Sequence, residues 1–191
     1  MHFAKIIYNS TMRSITFITG NQKKADYLAK YLGLEVLHEK VDLDELQSLD
    51  LREIVEHKVR QAYEKVGKPV IVEDASLEFS CLGRLPGTFI RFFVDEIPLE
   101  NICSLIDGKD RSAVARCGYG YYDGTRFEYF EGKLDGTVAD HPAWERWFGW
   151  DKIFTPDGYE ITRAEMNEED YEKTYLQIKP IEKVREFLFN I

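Results

Sequence analysis

Cysteine is scarce in this chain of 191 residues: there are three, at positions 81, 103 and 117. They are odd in number, widely spaced and never form C-x-x-C, which argues against a disulfide framework and against a thiolate zinc site. Cys81, Cys103 and Cys117 read instead as small hydrophobes of a protein in a reducing cytoplasm. No apolar run approaches the ~18 residues of a membrane span, so no membrane partner is expected. The opening MHFAKIIYNST lacks the long apolar core and small-residue cleavage site of a signal peptide. Positive charge is also short: 25 Lys and Arg stand against 34 Asp and Glu, a net charge of −9. A nucleic-acid polymer is therefore not an expected partner, because such affinity comes from neutralising phosphates with Lys and Arg. A local basic pocket for one phosphorylated small molecule is not excluded. His2, His38, His57 and His141 have no metal-ligand spacing and no Ser-His-Asp pattern, and are read as surface or structural. Repeats, low-complexity tracts and Pro/Gly/Ser linkers are missing too.

What is present is the apolar content of an ordinary folded protein, 44% hydrophobic and 31% charged. The length suits one domain over residues 1–191, with residues 1–13 read as an extension and the start left open between Met1 and Met12. Ile15 to Thr19 is a β-branched run ending at Gly20-Asn21, a buried strand before a turn. Ala25, Leu28, Ala29 and Leu32 form one helical face that Gly33 stops. Val36 to Val41 is a weaker strand, followed by the acidic loop Asp42 to Asp50. Asp50, with Glu53 three residues on, predicts a capped helix start, and Gly67-Lys68-Pro69 its end. The strand VIVE then delivers Glu73 and Asp74 at its end. Later come the aromatic stretch FIRFF and a short helix over 98–107. Strands follow over Ala113–Tyr122, Thr125–Glu131 and Lys133–Val138, the first two joined by a two-residue Asp123-Gly124 hairpin. Two helices near 167–177 and 181–189 close the chain. Strand–helix–strand first and hairpins later predict an α/β fold with a mixed sheet.

Four constellations carry chemistry. Thr19-Gly20-Asn21-Gln22-Lys23-Lys24 lies at a strand-to-helix turn, where free backbone N–H groups and the dipole suit phosphate. Gly20 permits close approach, Asn21 offers an amide and Lys24 a cation. Lys58 falls inside the apolar stripe of its helix, so its ammonium either snorkels to water or faces a negative partner in a cleft. Glu73 and Asp74, with Glu45 in the acidic loop, suit Mg²⁺, which takes one or two carboxylates plus substrate phosphates. One carboxylate there can also take a proton from water. Finally, W-E-R-W-F-G-W-D at 144–151 reads either as a stacking platform for a base or as a core corner filled by Trp.

Together these pieces resemble the inosine triphosphate pyrophosphatase family. The resemblance rests on T-G-N-x-x-K (Thr19 to Lys24), D-L-x-E (Asp42 to Glu45), Lys58, V-E-D (Val72 to Asp74) and G-x-L-P-G (Gly83 to Gly87). It continues through F-G-W-D (Phe148 to Asp151) and P-D-G-Y-E-x-T-x-A-E-M (Pro156 to Met166). It implies a mixed α/β fold of two lobes around a central cleft, usually a homodimer. It also implies Mg²⁺-dependent hydrolysis of a nucleoside triphosphate to the monophosphate and pyrophosphate. Thr19, Gly20, Asn21, Lys24 and Lys58 would then hold the triphosphate. Glu45 and Asp74 would hold Mg²⁺, with Asp74 as proton acceptor and Glu73 in support. Phe148 would stack on the base, with Gly149, Trp150 and Asp151 at its edge.

Two departures from the family pattern stand out, one a single residue and one a run. Ala75 stands where Ser or Thr usually follows Glu-Asp. After A-E-M the family's K-N-x-x-S-H-R run is absent. Tyr171 replaces its Lys, and Tyr175-Leu176-Gln177 replace Ser-His-Arg, the readers of the purine 6-oxo group. Because Leu176 has no donor and the Gln177 amide can donate or accept, weaker discrimination between ITP and ATP, or preference for a different modified base, is expected. The rivals are ordinary ITP, dITP and XTP specificity with Lys173, Gln177 or Lys179 as substitutes, and a catalytically silent nucleotide-binding protein on the same fold. The last has no reason to keep Lys24, Glu45, Lys58 and Asp74 together.

Overall fold

A computed structural model describes residues 14–143 and 149–191; residues 1–13 and 144–148 lie outside the described residues. β1 (Ser14–Ile18) leads into α1 (Gln22–Leu32), β2 (Glu35–Glu39) and α2 (Leu51–Val66). β3 (Val70–Phe79) is followed by the two-residue β4 (Pro86–Gly87), α3 (Ile90–Glu96) and α4 (Leu99–Ser104). The hairpin strands β5 (Ser112–Tyr122) and β6 (Phe127–Val138), the short β7 (Phe154–Pro156), and α5 (Glu168–Ile178) and α6 (Ile181–Phe189) complete the chain. The strands form one mixed seven-stranded sheet in the order β2-β1-β3-β5-β6-β7, with β4 also on β3. β1 runs parallel to β2 and β3; the remaining pairings are antiparallel. No helix among the described residues is long and apolar enough to cross a membrane.

Both helix starts obey the capping chemistry. The Asn21 side chain accepts the Lys23 N–H, and Asp50 accepts from Arg52 and Glu53. Glu53 does not close a box on Asp50. The Ser48 hydroxyl stands between them, accepting the Asp50 N–H and donating to Glu53. Gly33 and Gly67 stop their helices with φ of +69°, a conformation cheap only for glycine.

Two expectations about strands are corrected. β3 does not end at Asp74; it runs on to Phe79 because β5 pairs with it over its whole length. Thr125–Glu131 and Lys133–Val138 are one strand, and the turn before it has four residues, with Tyr122 facing Phe127. The Asp123 carboxylate holds that turn through the Thr125 and Arg126 N–H groups. FIRFF lies mostly in helix, in α3.

Side chains alternate along β3, so its two faces serve two cores. Ile71, Leu77 and Phe79 join the larger core beneath α1, α4, α5 and α6. Val70 and Val72 join the smaller core beneath α2. The α5 end is pressed tightly on β6: a Cβ on Gly132 would meet the Ile178 carbonyl oxygen at 2.3 Å. Backbone cannot swing away as a side chain can. Gly132→Ala should therefore cost about 1–3 kcal/mol in urea denaturation, the scale of overpacking. An unchanged midpoint would mean that α5 is free to shift.

Candidate active site

On the β1 side, β3 is paired twice with a gap between. β1 reaches Val72, and β4 begins opposite Leu77. Glu73 to Ser76 therefore present a strand edge with no ladder partner on that side among the described residues, beyond the carboxyl end of β1, where α/β sheets open crevices. A cleft of about 950 Å³ occupies this opening, lined by the Thr19–Asn21 turn, the acidic loop, Lys58, Asp74 and α3. A smaller cavity of about 210 Å³ adjoins it, lined by Trp150, Asp151, Arg163, Tyr171, Tyr175 and Lys179 among others. Asn21, Lys24, Glu73, Ala75 and Trp150 border both.

The turn after β1 is braced from several sides. Thr19 Oγ1 accepts the Asn21 N–H at 3.1 Å, so its hydroxyl shapes the turn. His38 Nε2 lies 2.6 Å from the Thr19 carbonyl oxygen, a structural role for a histidine that spacing alone leaves undefined. Opposite, Gln61 exchanges hydrogen bonds with Asp44, and Lys65 donates to the Asp42 carbonyl, tying the acidic loop to α2. Glu45 is exposed in the cleft, 3.8 Å from an Arg91 nitrogen.

Lys58 faces a partner rather than water. Its Nζ donates to Asp74 Oδ2 at 2.5 Å, while Asp74 Oδ1 accepts the Ala75 N–H at 2.8 Å. Glu73, one residue earlier, projects through the opposite face of the strand. Lys24 Nζ lies 2.9 Å and Lys179 Nζ 2.5 Å from its Oε1, and the Tyr119 hydroxyl donates to Oε2 at 2.8 Å. Burial alone would push the Glu73 carboxyl up, but the Lys179 and Lys24 ammoniums hold it below the usual carboxylate range. Burial likewise opposes the Lys179 charge, and the Glu73 carboxylate facing it more than offsets that. The adjacent carboxylates thus have different surroundings: Glu73 is buried between two cations, and Asp74 is reached from the cleft.

The smaller cavity differs from the expectation drawn from Leu176 and Gln177. Both are exposed, Leu176 by 42%, and neither lines the cavity; Lys173 is exposed as well. Tyr171, Tyr175 and Lys179 of the same segment do line it. Asp151 Oδ1 accepts Arg163 Nε–H at 2.7 Å and Oδ2 accepts the Tyr171 hydroxyl at 3.0 Å. Trp150 stands edge-on to Phe154 on the cavity wall. Gly149, at φ +60°, starts the 3-10 turn that carries Trp150 and Asp151. Phe148, the expected stacking residue, lies outside the described residues. Arg163 escaped the sequence reading because it occupies the unspecified position of T-x-A-E-M. Its one signal was a charge between residues that turn out buried, Thr162 and Ala164.

Ala75 faces the cavities, whereas the following Ser76 is buried with its hydroxyl unpartnered, so it does not replace the missing hydroxyl there. The three cysteines are free thiols, and burial pushes the Cys103 thiol up to about 11. No cluster of three His, Cys, Asp or Glu able to hold a metal occurs among the described residues. Glu45 and Asp74, two of the carboxylates that line the cleft, still suit Mg²⁺, which completes its shell with waters and substrate phosphates.

Residues 15–187 match the profile of the Ham1 family. The inosine triphosphate pyrophosphatase of Yarrowia lipolytica is 35% identical over 92% of this chain and 95% of its own. That of Candida albicans is 32% identical over 94% and 100%. Among solved structures, a HAM1 protein from Coxiella burnetii superposes with a TM-score of 0.82 at 21% identity, covering 94% of this chain and 100% of that one. The Staphylococcus aureus Ham1 protein gives 0.80 at 23%, covering 92% and 97%. These two likenesses show the same α/β fold.

Proposed function

The chain belongs to the Ham1 family, and from that membership and the cleft we propose that it is a nucleoside triphosphate pyrophosphatase acting on non-standard purine nucleotides. The observation that carries the reading is the convergence of Lys24, Lys58, Glu45 and Asp74 on one cleft beside the unpaired edge of β3. In this reading the triphosphate lies along the Thr19–Lys24 turn, where backbone N–H groups, the Asn21 amide and the Lys24 ammonium meet its oxygens. Lys58 exchanges its bond to Asp74 for a phosphate oxygen, which frees Asp74 for chemistry. Water attacks the α-phosphorus, its proton passes to Asp74, and the bond to the α–β bridging oxygen breaks. Pyrophosphate leaves and the nucleoside monophosphate remains. Mg²⁺ held by Glu45, Asp74 and the phosphates would supply positive charge against the charge developing on the leaving group. Glu73 keeps Lys24 in place and is itself too well paired to act as base. A homodimeric enzyme of the cytoplasm belongs to the same proposal, on the strength of the family resemblance.

Pyrophosphate release across a panel of nucleoside triphosphates tests this. Release from ITP, dITP or XTP is expected; nucleotide binding without release would make the chain a silent binder. In the same assay Lys58→Met should weaken triphosphate affinity by about 1.5–3 kcal/mol, the range for a hydrogen bond to a charged group. It should leave the melting temperature nearly unchanged, because the Lys58–Asp74 pair is reached by solvent. Lost stability with unchanged affinity would assign Lys58 to structure alone.

A further inference from the structure

A buried guanidinium beside the smaller cavity has no part in holding phosphate. The Arg163 side chain is only 2% exposed. Asp151 Oδ1 takes its Nε–H, and Thr174 Oγ1 takes one Nη1–H at 2.6 Å. Thr174 in turn donates to the Tyr171 carbonyl, so the acceptor is fixed. The guanidinium carbon lies 4.4 Å from the centre of the Tyr171 ring. Position and plane are thus set from three sides. Two of the five N–H groups of an arginine are spent in this way and the Tyr171 hydroxyl takes a further bond from the guanidinium, which leaves two without an acceptor among the described residues. These donors are not sealed. No Arg163 nitrogen is both fully buried and unpartnered, and the side chain lines the cavity.

A buried cation with unmet donors is costly, and a ligand acceptor would relieve it. Trp150, Tyr171 and Tyr175 give the cavity aromatic walls, which suit a planar ring. Asp151 stands next to Arg163 with lone pairs left on both oxygens. The two side chains therefore offer a donor beside an acceptor. That is the complement of a ring carbonyl next to a ring N–H, the edge of a 6-oxopurine. Adenine presents the reverse order, an amino donor against the guanidinium and a bare ring nitrogen against the carboxylate. We propose that Arg163, held by Asp151 and Thr174, is the specificity-determining donor to the 6-oxo group, in place of the absent Ser-His-Arg run. The inference rests on the nucleotide reading above. It replaces the expectation of weak ITP–ATP discrimination drawn from Leu176 and Gln177, since neither reaches the cavity. It does not separate inosine from xanthine or guanine, which share that edge.

The test uses ITP, ATP and purine riboside triphosphate, which lacks any 6-substituent, with kcat/KM read from pyrophosphate release. Calorimetric Kd values for the three corresponding monophosphates run in parallel. The wild-type protein should prefer the 6-oxo nucleotide over both others by about 10- to 100-fold or more. In Arg163→Met the preference over the 6-unsubstituted nucleotide should fall to within about threefold of unity, and in Arg163→Lys it should lie between the two. A wild-type ratio near one overturns the proposal, as does an undiminished ratio in a folded variant. Should Arg163→Met fail to fold by circular dichroism, Arg163→Lys and the wild-type ratio decide alone. Absence of pyrophosphate from every nucleotide would refute the enzymatic reading, and the monophosphate Kd ratios would still decide the role of Arg163.

Discussion

Asp74→Asn is expected to lower kcat for pyrophosphate release by about 10²–10⁴-fold, the scale of losing a positioned base. The asparagine keeps the shape, and its carbonyl oxygen can still accept the Ala75 N–H that orients the side chain. What it loses is the ability to take a proton and the charge that pairs with Lys58. Because that pair is partly solvated, stability should change little, and the melting temperature should stay within a few degrees. Circular dichroism melts beside a steady-state assay give both numbers. Near-normal turnover in a folded Asp74→Asn protein would remove Asp74 from the chemistry.

Lys179→Met should have the opposite signature, a loss of about 3–5 kcal/mol in stability, the cost of breaking a buried ion pair by removing one partner. Glu73 would be left buried with Lys24 as its one remaining cation. The double variant Glu73→Gln, Lys179→Met should recover part of that loss, since no unpaired buried charge remains. Acid unfolding supplies an independent check. The folded-state pKa of Glu73 lies below its ordinary value near 4.5, so folding gains from this carboxylate above that value. The gain disappears as pH falls through the depressed folded pKa. In Lys179→Met the depression is smaller, so less stability remains to be lost on acidification. Urea midpoints between pH 3 and 7 would show a flatter acid limb. A variant as stable as wild type, with the same acid limb, would mean that Lys179 does not compensate Glu73.

Much of this was readable from local patterns. Asp50 capping, the stops at Gly33 and Gly67, and the Thr19–Lys24 turn are set within a few residues, where propensity governs. The length of β3 was not, because Ala75 to Phe79 are held in a strand by β5, far away in sequence. That error placed Glu73 and Asp74 together at a strand end, whereas the pleat sends them apart. Lys58 left two readings open until α2 was docked over Asp74. The 171–179 segment misled for a related reason. Matching residues without gaps pairs positions by number alone, and only packing shows that Leu176 and Gln177 face outward and that Arg163, from another element, faces in. Long-range pairing decides such matters, and no sequence window contains it.

The opposed placement of Glu73 and Asp74 also bears on how this protein can change over generations. Every residue of β3 is registered against β5 across ten pairs, so a single inserted or deleted codon ahead of Glu73 would turn each following side chain to the other face. The buried carboxylate would then face α2, and Asp74 would be driven among Lys24, Lys179 and Tyr119. Length change in this strand is therefore excluded, while exchange of one residue for another is partitioned by face. If the smaller cavity reads the base as proposed, drift among the side chains of α5 and the T-x-A-E-M run can rewrite which base is accepted without touching Lys58 or Asp74. A lineage carrying this strand can thus acquire a new nucleotide preference by point substitution, while its hydrolytic face is inherited intact.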